Sequence, residues 1–435
     1  MGIRKIGWLL LALFSLSSCF KDANFEPGFS GEDSYTRSIV QRRETDPTRR
    51  VMIMVSAGHN SLSGYLSEDL KELQEGYLPE GTYSAANVLV VLSRLPANSG
   101  DYSTPSAPVL YRMYWDASHN VCRDTLRIWN GDTPLCTRET LHEALTLVRD
   151  AFPAKSYGMV FSSHASGWLP NGYYSDPSRF EPSTDSWAAR MARRTVYPPI
   201  DPYPAVKSLG QDRWENLSYE MELEDFVAAI PMHLEYLLID ACLSGCVEVA
   251  YALREKTDLV GFSPTEVLAD GFDYTEITRR LLGGEEADPV GVCQEYFERY
   301  NRQEGTYRSA TISVVDPRKM DALVTVCRDL FEKYRTAIRE LPGSRVQGYF
   351  RFERHFFYDL RDILVQAGIT PEEDARVQAA LDACIVYKAA TSYFLSIPIN
   401  TYSGLSMYLP SMGSSYLDQF YLGHIAWNNA TQLVK

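Results

Sequence analysis

From residue 50 to about residue 262, short apolar runs alternate with segments of helical spacing. Residues 51–55 (Val-Met-Ile-Met-Val) lack polar alternation, the mark of a strand buried on both faces. Leu62, Leu66, Leu70 and Leu73 then recur at the spacing of an amphipathic helix. Residues 87–93 and 109–115 read as two more strands. Residues 137–151 read as a helix that Thr137 can cap. An apolar run at 157–163 is followed by a helical pattern at 218–230, a strand at 236–240, a helix at 246–256 and a strand at 258–262. This order predicts the α/β class, with a mostly parallel central sheet and helices on both faces.

The pattern stops between residues 168 and 217. Prolines at 170, 177, 182, 198, 199, 202 and 204 break structure there, and Arg190, Arg193 and Arg194 cluster. A loop of that length inside a compact domain is usually functional or mobile. Beyond about 290 the texture changes: a strand at 308–315, long helices at 321–340 and 375–388, and a late strand at 402–410. Tyr349, Phe350, Phe352, Phe356, Phe357 and Tyr358 read as core. The expected division is an α/β domain over 49–290 carrying the loop, with a C-terminal α+β subdomain over 291–435 packed on it.

The first residues carry an address. Arg4 and Lys5 precede an apolar run at 6–16, then Ser17-Ser18-Cys19. This is a secretory signal too short to span a bilayer, covering residues 1–18. Leu16-Ser17-Ser18-Cys19 resembles a bacterial lipobox, which makes Cys19 the expected lipidation site. Phe20 in place of Asp favours an outer-membrane lipoprotein facing the periplasm or the cell surface. Residues 19–48 are polar and read as a tether. Across the 435 residues the net charge is −14, and no basic stripe offsets it, which argues against a nucleic-acid partner. The eight cysteines include no CxxC pair and no zinc-spaced cluster. No metal site is expected. Cys122 and Cys136 flank a turn and are placed for a clip.

Two apolar runs end in reactive side chains. Tyr157-Gly158-Met159-Val160-Phe161-Ser162-Ser163 leads to His164, and Tyr236-Leu237-Leu238-Ile239-Asp240-Ala241 leads to Cys242. Sites in open α/β sheets lie beyond the carboxyl ends of the strands. A thiol and an imidazole there point to a cysteine nucleophile with its base. A helix beginning directly after Cys242 would favour the thiolate. The backbone N–H groups of Cys242 and Ala165 are the candidate oxyanion donors.

These segments resemble the clostripain family of cysteine peptidases. The likeness rests on Ser163-His164-Ala165-Ser166-Gly167-Trp168 and on Asp240-Ala241-Cys242-Leu243-Ser244-Gly245 with Glu248-Val249-Ala250-Tyr251. Ser218-Tyr219-Glu220-Met221, Phe262-Ser263-Pro264-Thr265-Glu266, Gly271-Phe272-Asp273-Tyr274 and Gly404-Leu405-Ser406-Met407-Tyr408-Leu409-Pro410 add to it. It runs from about residue 50 to the end. It implies a caspase-like α/β/α sandwich and cleavage after Arg or Lys in protein or peptide substrates. It assigns His164 as general base or acid, Cys242 as nucleophile and Asp240 as the carboxylate of the S1 pocket. An Arg or Lys side chain facing a carboxylate is a charge-assisted contact. Ala165 stands where the family usually has Gly, which would strain the chain if that position needs positive φ. Ser244 replaces a frequent Met.

Some relatives cut themselves between the His and the Cys. Arg179, Arg190, Arg193 and Arg194 are the candidate self-cleavage sites. No cofactor is required by the sequence, although calcium is compatible with the family. The competing expectation is an inactive, peptidase-like surface lipoprotein that binds proteins or peptides.

Overall fold

The computed structural model describes residues 49–81, 87–98, 106–173, 180, 206–207, 212–214, 217–351 and 355–435. Nine strands form one sheet: β1 (Arg50–Ala57), β2 (Val88–Arg94), β3 (Val109–Trp115), β4 (Val121–Ile128), β5 (Ser156–Ser162), β6 (Leu234–Asp240), β7 (Thr257–Phe262), β8 (Thr311–Val315) and β9 (Ile385–Ala390). Their order is β9-β8-β7-β6-β5-β1-β2-β3-β4. The central run β7-β6-β5-β1-β2 is parallel. The two pairings at each edge are antiparallel.

Burial explains the central strands. Every residue of β1 is buried, as its unbroken apolar run predicts for a strand covered on both faces. β4 alternates between exposed and half-buried positions and closes one edge with Arg123, Asp124 and Arg127. Charged side chains on an edge strand discourage further pairing. β4 went unread in the sequence because its polar alternation looks like loop.

Helices cover both faces. α1 (Ser63–Glu75) packs on α5 (Tyr274–Thr278) on one side. On the other, α2 (Arg138–Ala151) packs on α3 (Leu223–Ala229), and α3 on α4 (Val247–Ala252). Thr137 caps α2 through the Thr140 N–H, as its sequence position predicts. α3 begins five residues later than the helical pattern at 218–230, because 217–219 is extended and pairs with 212–214.

The chain after residue 291 contributes β8 and β9 to the central sheet. α6 (Pro289–Asn301), α7 (Asp321–Glu340), α8 (Leu360–Gln366) and α9 (Pro371–Cys384) surround those strands. α9 starts at a capping box between Thr370 and Glu373 and gives way to β9 at Ile385. The sequence pattern ran the helix on to 388 because no breaker separates the two. Tyr349, Phe350, Phe356, Phe357 and Tyr358 are buried in the core. Of the late strand at 402–410, only Ser406–Met407 is paired, against Tyr358–Asp359.

Candidate active site

The register of β5 against β6 sets Ser162 opposite Asp240. His164 and Cys242 each lie two residues beyond that pair, at the carboxyl ends of adjacent parallel strands. Neighbouring strands are about 4.8 Å apart, so the fold brings imidazole and thiol to one rim. All three sequence candidates are covered: His164 is 2% exposed, Cys242 1% and Asp240 1%.

The turn after Cys242 is held by a second stretch of chain. The Leu243 N–H donates to the Thr265 carbonyl at 2.8 Å, and the Gly245 N–H to the Ser263 carbonyl at 2.8 Å. Leu243 has φ of 57°, a left-handed conformation rare for its type. α4 therefore starts only at Val247, with Cys246 as its N-cap. This differs from the expected helix starting directly behind Cys242. The donor at the sulfur is instead the Val267 N–H, 3.2 Å from Cys242 Sγ. The thiol in turn donates to the Val267 carbonyl at 3.9 Å.

On the histidine side, Nε2 of His164 lies 3.2 Å from the Ser61 hydroxyl. Ser61 follows β1 and belongs to the loop before α1, so it can fix the imidazole's tilt. Sequence reading missed it, since a lone Ser in a Ser-rich turn carries no signal. The conformational question at Ala165 is answered by its backbone. The non-glycine residues with positive φ among the described residues are His119, Leu243, Leu395 and Gln432. Ala165 is not among them, so a β-carbon there costs no backbone strain. The left-handed position lies two residues on, at Gly167, with φ of 60°. A β-carbon on Gly167 would stand 2.5 Å from the Leu243 carbonyl oxygen. The His loop and the Cys turn thus touch where only glycine fits.

Side-chain alternation along β5 and β6 gives the rim two different flanks. Ser162 and Asp240 point toward α5: the Tyr274 hydroxyl donates to Asp240 at 2.8 Å, and the Ser162 hydroxyl at 3.4 Å. Phe161 and Ile239 point the other way, into a cleft that His164 also lines. Behind the His loop, Trp168 is 1% exposed and packs on Tyr408 and Tyr421 at ring distances of 4.8 and 5.1 Å. Glu248 of α4 ties the same two tyrosines. It accepts from the Tyr408 N–H at 2.9 Å and from the Tyr421 hydroxyl at 2.7 Å. Burial pushes the Glu248 carboxyl up to about 7, these hydrogen bonds offsetting only part of that cost.

The sequence model of the clostripain family (Peptidase_C11) matches residues 54–179 and 199–429. The chain belongs to the clostripain family. An inactive zymogen C11 protease from Parabacteroides distasonis, known from its X-ray structure, superposes with a TM-score of 0.67 at 27% identity, covering 89% of this chain and 99% of that one. A secreted C11 cysteine protease from Bacteroides thetaiotaomicron, in complex with an irreversible peptide inhibitor, gives a TM-score of 0.67 at 22% identity, over 88% of this chain and 99% of that one. The second likeness shows a shared fold. No curated protein matches the chain. The caspase-like α/β/α architecture and the cysteine-peptidase class follow for this clostripain-family chain. Arg179, Arg190, Arg193, Arg194 and Cys19 lie outside the described residues.

Proposed function

We propose that this protein is a lipid-anchored endopeptidase that cuts after Arg or Lys by a Cys242–His164 dyad. The observation that carries the reading is the register of β5 on β6, which sets His164 and Cys242 at matching strand ends with Asp240 on the flank beneath. Cys242 gives its thiol proton to His164, its Sγ attacks the substrate carbonyl carbon, and the N–H groups of Cys242 and Ala165 receive the developing oxyanion. The C–N bond breaks as His164 gives a proton to the leaving nitrogen. Water then adds to the thioester, His164 takes its proton, and the acid product leaves with Cys242 restored. Asp240 receives the substrate cation in S1.

The closed state of all three residues supports an enzyme that must be opened before it works. The backbone of residues 206–207 pairs antiparallel with Val267–Leu268, with Lys207 opposite Val267. Val267 is also the residue that donates to Cys242 Sγ. A basic residue of the 168–217 loop thus lies in register with the nucleophile's own contact, as a bound substrate strand would. We therefore add Lys207 to the four arginines as a self-cleavage site.

The test is turnover of fluorogenic peptides with Arg, Lys, Ala or Asp at P1 by residues 20–435, beside Cys242→Ala. Turnover after Arg or Lys that vanishes in the variant supports the assignment. Turnover of none of them, even after trypsin nicking of the loop, favours the inactive binding-protein reading. Adding a chelator to the same assay tests calcium dependence. Fractionation of cells making Cys19→Ser tests the anchor: soluble protein is expected in place of membrane-bound protein.

A further inference from the structure

The cleft on the Phe161 flank has no role in the chemistry above. Its cavity volume is about 90 Å³, beneath an open mouth. Phe161 and Ile239 form its floor, and Leu223, Phe226 and Val249 its wall. His164, Ala165 and Gly167 form its rim. Its polar neighbours are already engaged: the Asn171 side chain donates to the Glu220 carbonyl, and the Gly172 N–H donates to the Glu220 carboxylate at 2.7 Å.

The dyad has a direction. The group that protonates the leaving nitrogen must lie within hydrogen-bond reach of it. The peptide that departs therefore passes over His164, and its first side chain meets what borders His164 on the flank away from Asp240. That border is the cleft. We propose that the cleft is the subsite for the residue after the scissile bond (P1′) and that it selects a medium-sized apolar side chain such as Leu or Met. The proposal rests on the dyad reading. The preferred sequence is then a basic residue followed by an apolar one, the cation against Asp240 and the apolar group against Phe161 and Ile239. The Glu220 carboxylate at the cleft disfavours an acidic residue at the same place.

The experiment uses internally quenched peptides with Lys or Arg at P1 and Leu, Met, Gly, Lys or Asp at P1′. It runs beside a coumarin amide with the same P1, which has no P1′ residue. Leu and Met should exceed Asp in kcat/KM by roughly 10-fold or more, the scale of apolar-pocket discrimination. Val249→Phe narrows the cleft and should move the preference toward Gly. Leu223→Asp puts a carboxylate on the wall at the first residue of α3; because Leu223 packs on the core, its thermal melt is read beside the parent's. It should erase the Leu advantage and raise Lys. Equal rates for all five peptides, or a Leu preference undiminished in both variants, would overturn the cleft assignment while turnover of the coumarin amide leaves the dyad standing. No turnover of the coumarin amide by the loop-nicked protein overturns both.

Discussion

The backbone N–H of Val267 lies 3.2 Å from the sulfur of Cys242, and the backbone of the same residue pairs with Lys207. Val267 thus contacts both the proposed nucleophile and the paired strand at 206–207. On incubation, the purified protein should cut itself after Lys207, read as two fragments whose masses sum to the intact chain plus one water. Cys242→Ala should stay whole, and Lys207→Ala should process at least about tenfold more slowly, the loss expected when a charge-assisted contact of about 1.5–3 kcal/mol is removed. An unchanged cutting rate in Lys207→Ala, with the cut at one of the four arginines, would dismiss Lys207.

Asp240 accepts hydrogen bonds from the Tyr274 and Ser162 hydroxyls. Asp240→Asn keeps the shape and an acceptor for the Tyr274 hydroxyl but removes the charge. Its kcat/KM for Lys and Arg substrates should fall roughly 10- to 100-fold, with far less loss for an uncharged P1. Equal losses for charged and neutral substrates would place Asp240 outside S1.

Gly167 and Ala165 make a contrasting pair. Gly167→Ala forces a left-handed alanine and drives its β-carbon into the Leu243 carbonyl. A stability loss of about 1–3 kcal/mol is expected, with activity falling alongside it. Ala165→Gly restores the common family residue where no positive φ is required, and kcat should stay within about fivefold, since backbone freedom alone is worth only about 0.5–1 kcal/mol. Thermal melts and steady-state rates on both variants decide this. A large gain in Ala165→Gly would show that alanine does impair the oxyanion site.

Glu248 gives a pH dependence of stability. Its carboxyl is raised by burial from 4.5 to about 7 in the folded chain. Between those values the folded state holds a proton that the unfolded state releases. Stability therefore falls as pH rises from about 4.5 to about 7 and levels off above. Glu248→Gln keeps an acceptor for Tyr408 and Tyr421 without the buried charge. It should melt above the parent at about pH 8, by up to about 3 kcal/mol, and lose that advantage near pH 5. A constant difference across pH would mean that Glu248 does not titrate in this range.

The parallel strands and the His–Cys constellation were legible because buried strands are unbroken apolar runs, and because the reactive side chains stand where those runs end. The Asp240-Ala241-Cys242 segment carried further specificity through its likeness to clostripain. The site's supports were not legible. Val267 reaches Cys242 from 25 residues away, through a turn set by bonds to Ser263 and Thr265. The break between Cys242 and α4 was hidden because Leu243 adopts a glycine-like φ without being glycine. Ser61 and the two-sided flanks of the rim depend on register, which single-strand patterning does not reveal.

The central claim is that Cys242 is the nucleophile and that Asp240 selects the residue before the cut. Mass spectrometry of the loop-nicked protein, treated with a peptidyl ketone inactivator bearing Lys or Asp at P1, tests both at once. One adduct, on Cys242, is expected from the Lys reagent and none from the Asp reagent. An adduct on another cysteine, or equal labelling by both reagents, would contradict the claim.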